Sequence, residues 1–171
     1  NGEVVTKYSN LKIGTADNLE LNNQFSKVEL DKVFNIEVEC KYGNLSIQEA
    51  DNIEGEVGFS GFQLGRLNQS INIDLSYGKN LVFDQVSNNF SEIVIDSQFS
   101  SFELNLPENV STRFEADFEF GDLNVDENKI TFTSVEKDYN SKEYTGYIRN
   151  ANADAFISID SRYGNVKLNI E

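Results

Sequence analysis

Phe25-Ser26-Lys27-Val28-Glu29-Leu30 and Tyr42-Gly43-Asn44-Leu45-Ser46-Ile47 are two copies of one pattern. In each, an aromatic residue is followed by Ser or Gly, a variable residue, and then apolar-x-apolar. Working outward, Tyr8-Ser9-Asn10-Leu11-Lys12-Ile13 precedes them and Phe59-Ser60-Gly61-Phe62-Gln63-Leu64 follows. The four aromatics stand at positions 8, 25, 42 and 59, a constant step of 17. Further copies start at Tyr77, Phe99, Phe120 and Tyr163, after gaps of 18, 22, 21 and 43. A fixed period of this size marks a stack of supersecondary units rather than one irregular domain.

Upstream of each aromatic the apolar residues alternate with period 2, as half-buried strands require. Ile36, Val38, Cys40 and Tyr42 form one such row, and Ile71, Ile73, Leu75 and Tyr77 another. Val33, Ala50, Leu67 and Val86 close their units with one more apolar residue. Each unit therefore reads as strand, tight corner, short strand, corner. Gly or Ser at the first corner fits a backbone that needs positive φ, or a hydroxyl to bond a freed backbone group. No unit buries its apolar row alone, but stacked units share a continuous core. The expectation is an all-β, parallel β-solenoid of about eight coils of 17–22 residues, with the aromatics in an inner ladder. A β-sandwich of hairpins is the alternative for short, evenly spaced strands, but hairpins drift in length where this period holds. Coils are expected over 1–129, an insertion over 130–156, and a last coil over 157–171. Thr131-Phe132-Thr133 and Tyr144-Thr145-Gly146-Tyr147-Ile148 flank the insertion's polar centre, which reads as a hairpin or long excursion placed to cap the stack.

Composition narrows the function. The chain has 171 residues with 29 acids against 14 bases, a formal charge of -15. That field repels phosphate backbones, so nucleic acid is not an expected partner. No apolar run reaches the ~20 residues of a membrane-spanning helix, so no membrane insertion is expected. Histidine is absent, which removes the commonest general base and the His-dependent triads. The single cysteine excludes an intrachain disulfide. Cys40 sits between Val38 and Tyr42 in an inner row, so it is expected to be a buried, inert thiol. The chain starts Asn1-Gly2-Glu3, which reads as a processed product whose leader is out of view.

The Tyr-Gly-Asn-apolar-x-apolar units, the acidic and Asn-rich background, and the closing Ser161-Arg162-Tyr163-Gly164-Asn165-Val166-Lys167-Leu168 segment resemble the adhesin domains of Bacteroidetes. The resemblance covers nearly the whole chain. It implies a surface, periplasmic or secreted β-solenoid with an interaction or structural role, and a protein or glycan partner. It carries over no catalytic, metal-binding or cofactor-binding residue.

One patterned chemistry remains. Three residues before each aromatic, the outward column reads Val5, Asn22, Glu39, Glu56, Asp74, Asp96, Asp117 and Asp160. Glu3, Glu20, Glu37, Glu54 and Glu115 add a second acidic column. Carboxylates stacked about 5 Å apart repel, and divalent cations such as Ca²⁺ relieve that repulsion. Glu39, Glu56, Asp74, Asp96 and Asp117 are thus the candidate cation face. The bland alternative is a solvated face that keeps the rod soluble, and no Ca²⁺-loop spacing is present. Glu115, Asp117 and Glu119 form the densest trio, which opens an alternative as a polysaccharide-acting enzyme or carbohydrate-binding solenoid. The expectation is a non-catalytic module without cofactor.

Overall fold

The computed structural model describes residues 2–171 and holds no helix among them. Its strands are β1 (Gly2–Lys7), β2 (Asn10–Gln24), β3 (Lys27–Lys41), β4 (Asn44–Gly58), β5 (Gly61–Ser76), β6 (Lys79–Phe83) and β7 (Glu92–Gln98). They continue with β8 (Phe102–Leu106), β9 (Thr112–Glu119), β10 (Asp122–Val125), β11 (Thr131–Lys137), β12 (Ser141–Ile148), β13 (Phe156–Arg162) and β14 (Asn165–Ile170). β2 to β5 each pass through a bend, so their two halves belong to two walls. One wall runs β1-β2-β3-β4-β5-β7-β13-β9-β12-β11, and the other continues from β5 through β6, β8 and β14 to β10. Apart from the hairpin end, all pairings are parallel. The protein is a parallel β-solenoid of about six turns.

The core lies between the walls. Ile36, Val38 and Cys40 from one wall meet Val28 and Leu30 from the other, and Val33 fills the bend, all at most 3% exposed. The next coils repeat this with Ile53, Val57, Leu45, Ile47 and Ala50, then Ile71, Ile73, Leu75, Phe62, Leu64 and Leu67. Burying one such Val, Leu, Ile or Phe contributes about 1.5–3 kcal/mol. The gain accrues only when neighbouring coils cover each row, which ties each coil's stability to its neighbours.

The eight-coil count is not reproduced as eight full turns. β1 and the β11–β12 hairpin add strands to one wall only, so the ends are partial. A second correction concerns the last coil. β13 lies between β7 and β9, and β14 between β8 and β10, so residues 156–170 form a middle layer of the stack. The end layer is the insertion instead, with β12 antiparallel on β9 and β11 antiparallel on β12. β9's outer edge thereby receives an antiparallel partner, and the hairpin takes the place of a further coil.

The third correction concerns the aromatics. Tyr8, Phe25, Tyr42, Phe59, Tyr77, Phe99, Phe120 and Tyr163 all have φ between 50° and 57°. A single left-handed residue shifts the alternation by one, so two successive side chains, such as Lys41 and Tyr42, both leave the core. The rings therefore line the outside of the corner. The aromatic, not the following Gly or Ser, carries the positive φ. Gly43 and Gly164 are there for closeness: a Cβ on either would lie 2.4 Å from the Ser26 carbonyl oxygen or 1.9 Å from that of Ser100. Where Ser occupies the corner its hydroxyl is used. Ser60 donates to the Gly58 carbonyl at 2.7 Å and accepts from the Gly43 amide of the coil below at 3.0 Å. Ser26 and Ser100 repeat both bonds. The buried rings are others: Phe62, Phe83 and Phe102 meet edge to face at 5.7 and 5.8 Å.

Candidate functional site

Two surface features run the length of the rod. The first is the acidic column, placed by strand register. Asn22 stands opposite Glu39, Glu39 opposite Glu56, Glu56 opposite Asp74, and Asp74 opposite Asp96. Asp160 then enters between Asp96 and Asp117, because β13 is inserted there. Glu143 of the hairpin stands beyond Asp117. The sequence-predicted candidates thus share one column, in a corrected order.

Its two halves differ electrostatically. In the first, Lys41 Nζ bridges Glu39 at 3.0 Å and Glu56 at 2.7 Å, and the Asn22 amide donates to Glu39 at 2.9 Å. Hydrogen bonds to Glu56 and Glu39 hold the Lys41 ammonium well above its ordinary range. In the second half, burial pushes the Asp96 carboxyl up, and the charges of Asp74 and Asp160 push it further. Asp117 is raised by burial and by Asp160. Arg162 reaches only to 3.7 Å from Asp160 and 3.8 Å from Glu119. Among the described residues no group of three or more Asp, Glu or Cys is arranged to hold a metal ion. Strand-spaced carboxylates on a flat wall point in parallel, whereas a cation shell needs oxygens that converge.

Glu115 and Glu119 accompany Asp117 on the exposed face of β9. An open groove of about 790 Å³ does cross the same wall, flanked by Glu3, Glu20, Glu37 and Glu54 and by Asn18, Asn35 and Asn52. Neither Asp96 nor Asp117 lines it. The asparagines form a ladder: Asn52 donates to Asn35 and Asn35 to Asn18, both at 2.8 Å, and Ser70 donates to Asn52 at 2.7 Å.

The second feature is the outer aromatic ladder. In spatial order it runs Tyr8, Phe25, Tyr42, Phe59, Tyr77, Phe99, Tyr163, Phe120, with centroids 4.7–5.1 Å apart and ring planes within 17°. The rings remain 43–73% exposed. Each inner ring is covered on both faces by its neighbours, so the stripe offers edges and tyrosine hydroxyls. Among the other candidates, Cys40 is fully buried, with its thiol raised by burial. Tyr139, at the hairpin tip, is 97% exposed. Tyr144 packs between Phe118 and Phe132 and donates to Asp122 at 3.1 Å.

The chain matches no family model, no curated protein and no solved structure. The site is therefore read from its own geometry. The outward aromatic stripe and the buried Asn23, whose amide donates to Ser26 carbonyl and Cys40 sulfur, escaped the sequence reading. The shift of alternation between Cys40 and Leu45 fits a left-handed residue at Tyr42 or at Gly43 equally well, and Asn23 occupies an inner position otherwise taken by Cys40, Val57 and Leu75.

Proposed function

We propose that the protein is a non-catalytic interaction or structural rod, an adhesin-type solenoid acting at the cell surface, in the periplasm or in secreted form. The observation that carries this reading is the outer ladder: eight aromatic rings left exposed in one unbroken stripe. A solvated rod has no need of that, and exposed aromatic stripes mark contact surfaces. A protein partner fits the stripe better than a glycan. Sugars stack on aromatic faces, and here the faces are taken by neighbouring rings. Edges and phenol hydroxyls suit the mixed apolar and polar contacts of a protein interface. The catalytic alternative needs a converging pair of carboxylates in a cleft. The raised pair Asp96 and Asp117 stands on a wall outside the groove. Divalent cations act only as diffuse counterions of the acidic column.

The reading is tested by probing an immobilised panel of extracellular proteins and a glycan array with the purified chain. In parallel, reducing-sugar release is measured from a panel of polysaccharides. Expected are binding to protein spots and no turnover. The binding should weaken when Tyr42, Tyr77 and Tyr163 are changed together to Phe, which keeps the stack and removes three hydroxyls. Sugar release that disappears in Asp117→Asn or Glu115→Gln would replace this reading with the enzymatic one.

A further inference from the structure

The two walls of the stack differ in charge. The acidic columns stand on the first. The second is built from the leading halves of β2 to β5 and from β6, β8, β14 and β10, and there the charges cancel in pairs. Lys27 meets Glu29 at 2.6 Å, Lys167 meets Glu103 at 3.0 Å, and Asp122 meets Lys142 at 2.6 Å. Among these pairs stand the exposed amides Asn44, Gln63, Asn80 and Asn124. A chain of net charge -15 thus presents one nearly neutral, amide-bearing wall.

Elsewhere in the fold, amides stitch one coil to the next. Asn35 donates to Asn18 and Asn52 to Asn35, both at 2.8 Å, and Asn169 donates to Asn105 at 2.6 Å. The side chains of Asn44, Gln63, Asn80 and Asn124 make no hydrogen bond among the described residues. They line two open grooves of about 170 and 360 Å³ that follow one another along the rod and meet at Asn80. The larger reaches the size of ordinary small-ligand clefts, ~300–1,000 Å³. Asn80 sits in a one-residue bulge, where β6 slips register against β5, and is held at φ 53°. Asn tolerates that conformation better than most L-residues, and bulges and strained residues collect at binding sites.

The chemistry and the spacing select the occupant. A free amide donates through its nitrogen and accepts through its oxygen, which is the pairing that hydroxyl groups need. The wall has almost no net charge with which to attract an ion. Successive strands lie about 4.8 Å apart, close to the length of one hexose unit in an extended β-linked chain. A peptide laid along the rod would repeat its side chains about every 6.5 Å and fall out of step with the amides. We propose that the two grooves form one binding track for an extended, uncharged β-linked polysaccharide, one sugar per coil, with Asn44, Gln63, Asn80 and Asn124 bonding its hydroxyls. The track is a second surface, separate from the aromatic ladder and from the protein partner proposed for it.

The test is calorimetric titration of the 171-residue chain with cellohexaose, β-1,4-mannohexaose, hexagalacturonate and a capped decapeptide of alternating Ser and Gly. At least one neutral hexaose should bind saturably, at least tenfold more tightly than its own disaccharide, hexagalacturonate or the peptide. Gln63→Ala with Asn80→Gly, which keeps the positive φ accessible, should weaken that binding at least tenfold with unchanged circular dichroism and melting. Should that pair disturb folding, Asn44→Ala and Asn124→Ala, one in each groove, carry the same expectation. Glu37→Gln with Glu54→Gln, in the groove of the other wall, should leave sugar binding intact. So should the joint change of Tyr42, Tyr77 and Tyr163 to Phe, which tests the ladder separately. The proposal is overturned if neither neutral hexaose binds at 5 mM, or if hexagalacturonate or the peptide binds as tightly. Loss of sugar binding in the Glu37/Glu54 or the tyrosine variant, rather than in the amide variants, would overturn it as well.

Discussion

At the scale of the residue, the corner aromatics are held in a conformation that L-residues avoid. The left-handed region costs roughly 1–2 kcal/mol for a residue with a Cβ. Ring stacking offsets this, since an aromatic pair contributes about 0.5–1.5 kcal/mol beyond area burial. Phe59 has two such contacts, with Tyr42 at 5.0 Å and Tyr77 at 4.7 Å. Phe59→Ala keeps the unfavourable φ and loses both, so urea unfolding should show a loss of about 1–3 kcal/mol. Phe59→Tyr should be within about 0.5 kcal/mol of wild type, since only the exposed ring edge changes. Cys40 gives a second test at this scale. Its thiol is buried and raised, so a disulfide reagent should modify native protein far more slowly than urea-unfolded protein. Equal rates would place Cys40 on the outer face.

At the scale of the strand, the acidic column sets how stability responds to protons and salt. Asp96 and Asp117 have carboxyls raised in the fold above the ordinary 3.8, first by burial and then by neighbouring aspartates. A raised carboxyl binds protons more tightly when folded. Its contribution is therefore fully present below the unfolded value and is lost as pH rises through the folded value. Glu49, lowered by Lys32 and Asn68, and Asp126, lowered by Asn128, act oppositely: their contribution is lost as pH falls through their folded values. The melting temperature should thus rise modestly as acidification from pH 7 begins to protonate Asp96 and Asp117, and fall on further acidification as Glu49 and Asp126 take up protons. Asp96→Asn should raise the melting temperature at pH 7 and flatten that rise. Sodium chloride should stabilise the protein at pH 7 by screening the same column. Ca²⁺ at matched ionic strength should add nothing further; a saturable Ca²⁺ shift abolished by Glu56→Gln with Asp74→Asn would establish a cation site. Register made this column predictable, because period-2 alternation counted back from each corner aromatic places residues 39, 56 and 74 in line, through the one-residue register shift between β4 and β5. The place of Asp160 was not predictable, because nothing local to Phe156–Arg162 distinguishes an end layer from a middle one.

At the scale of the molecule, the inserted last coil joins the two parts of the stack. β13 and β14 join the coils up to β8 with β9, β10 and the hairpin beyond. No layer beyond β7 and β8 can dock before residues 156–170 are in place. Folding thus waits on contacts of long sequence separation, such as the buried Ser97–Ser161 hydroxyl bond across 64 residues at 3.0 Å. Such a topology folds slowly. Ile159, which is 1% exposed and faces Ile95 and Ala116, sits at the junction. Ile159→Ala should cost about 2–5 kcal/mol. In hydrogen exchange it should deprotect β9 and β12 more than β3 and β4. Equal deprotection throughout would mean that the stack opens only as one unit.

The sequence by itself determined the stacked parallel coils, the inner rows of Val, Leu and Ile, the buried Cys40 and the sided acidic columns. Each depends on a local period, and a 17-residue step with alternation of 2 leaves one economical way to bury the apolar rows. Only the tertiary structure decided that the corner aromatics face outward, because the shift of alternation across each corner fits a left-handed residue at the aromatic or at the Gly or Ser after it. It alone decided the layer order too. Every coil presents nearly the same edges to its neighbours, so the sequence of Phe156–Ile170 fits an end or a middle layer equally well. The choice rests on what the Thr131–Ile148 hairpin offers the open side of β9, a contact between segments that no repeat period relates.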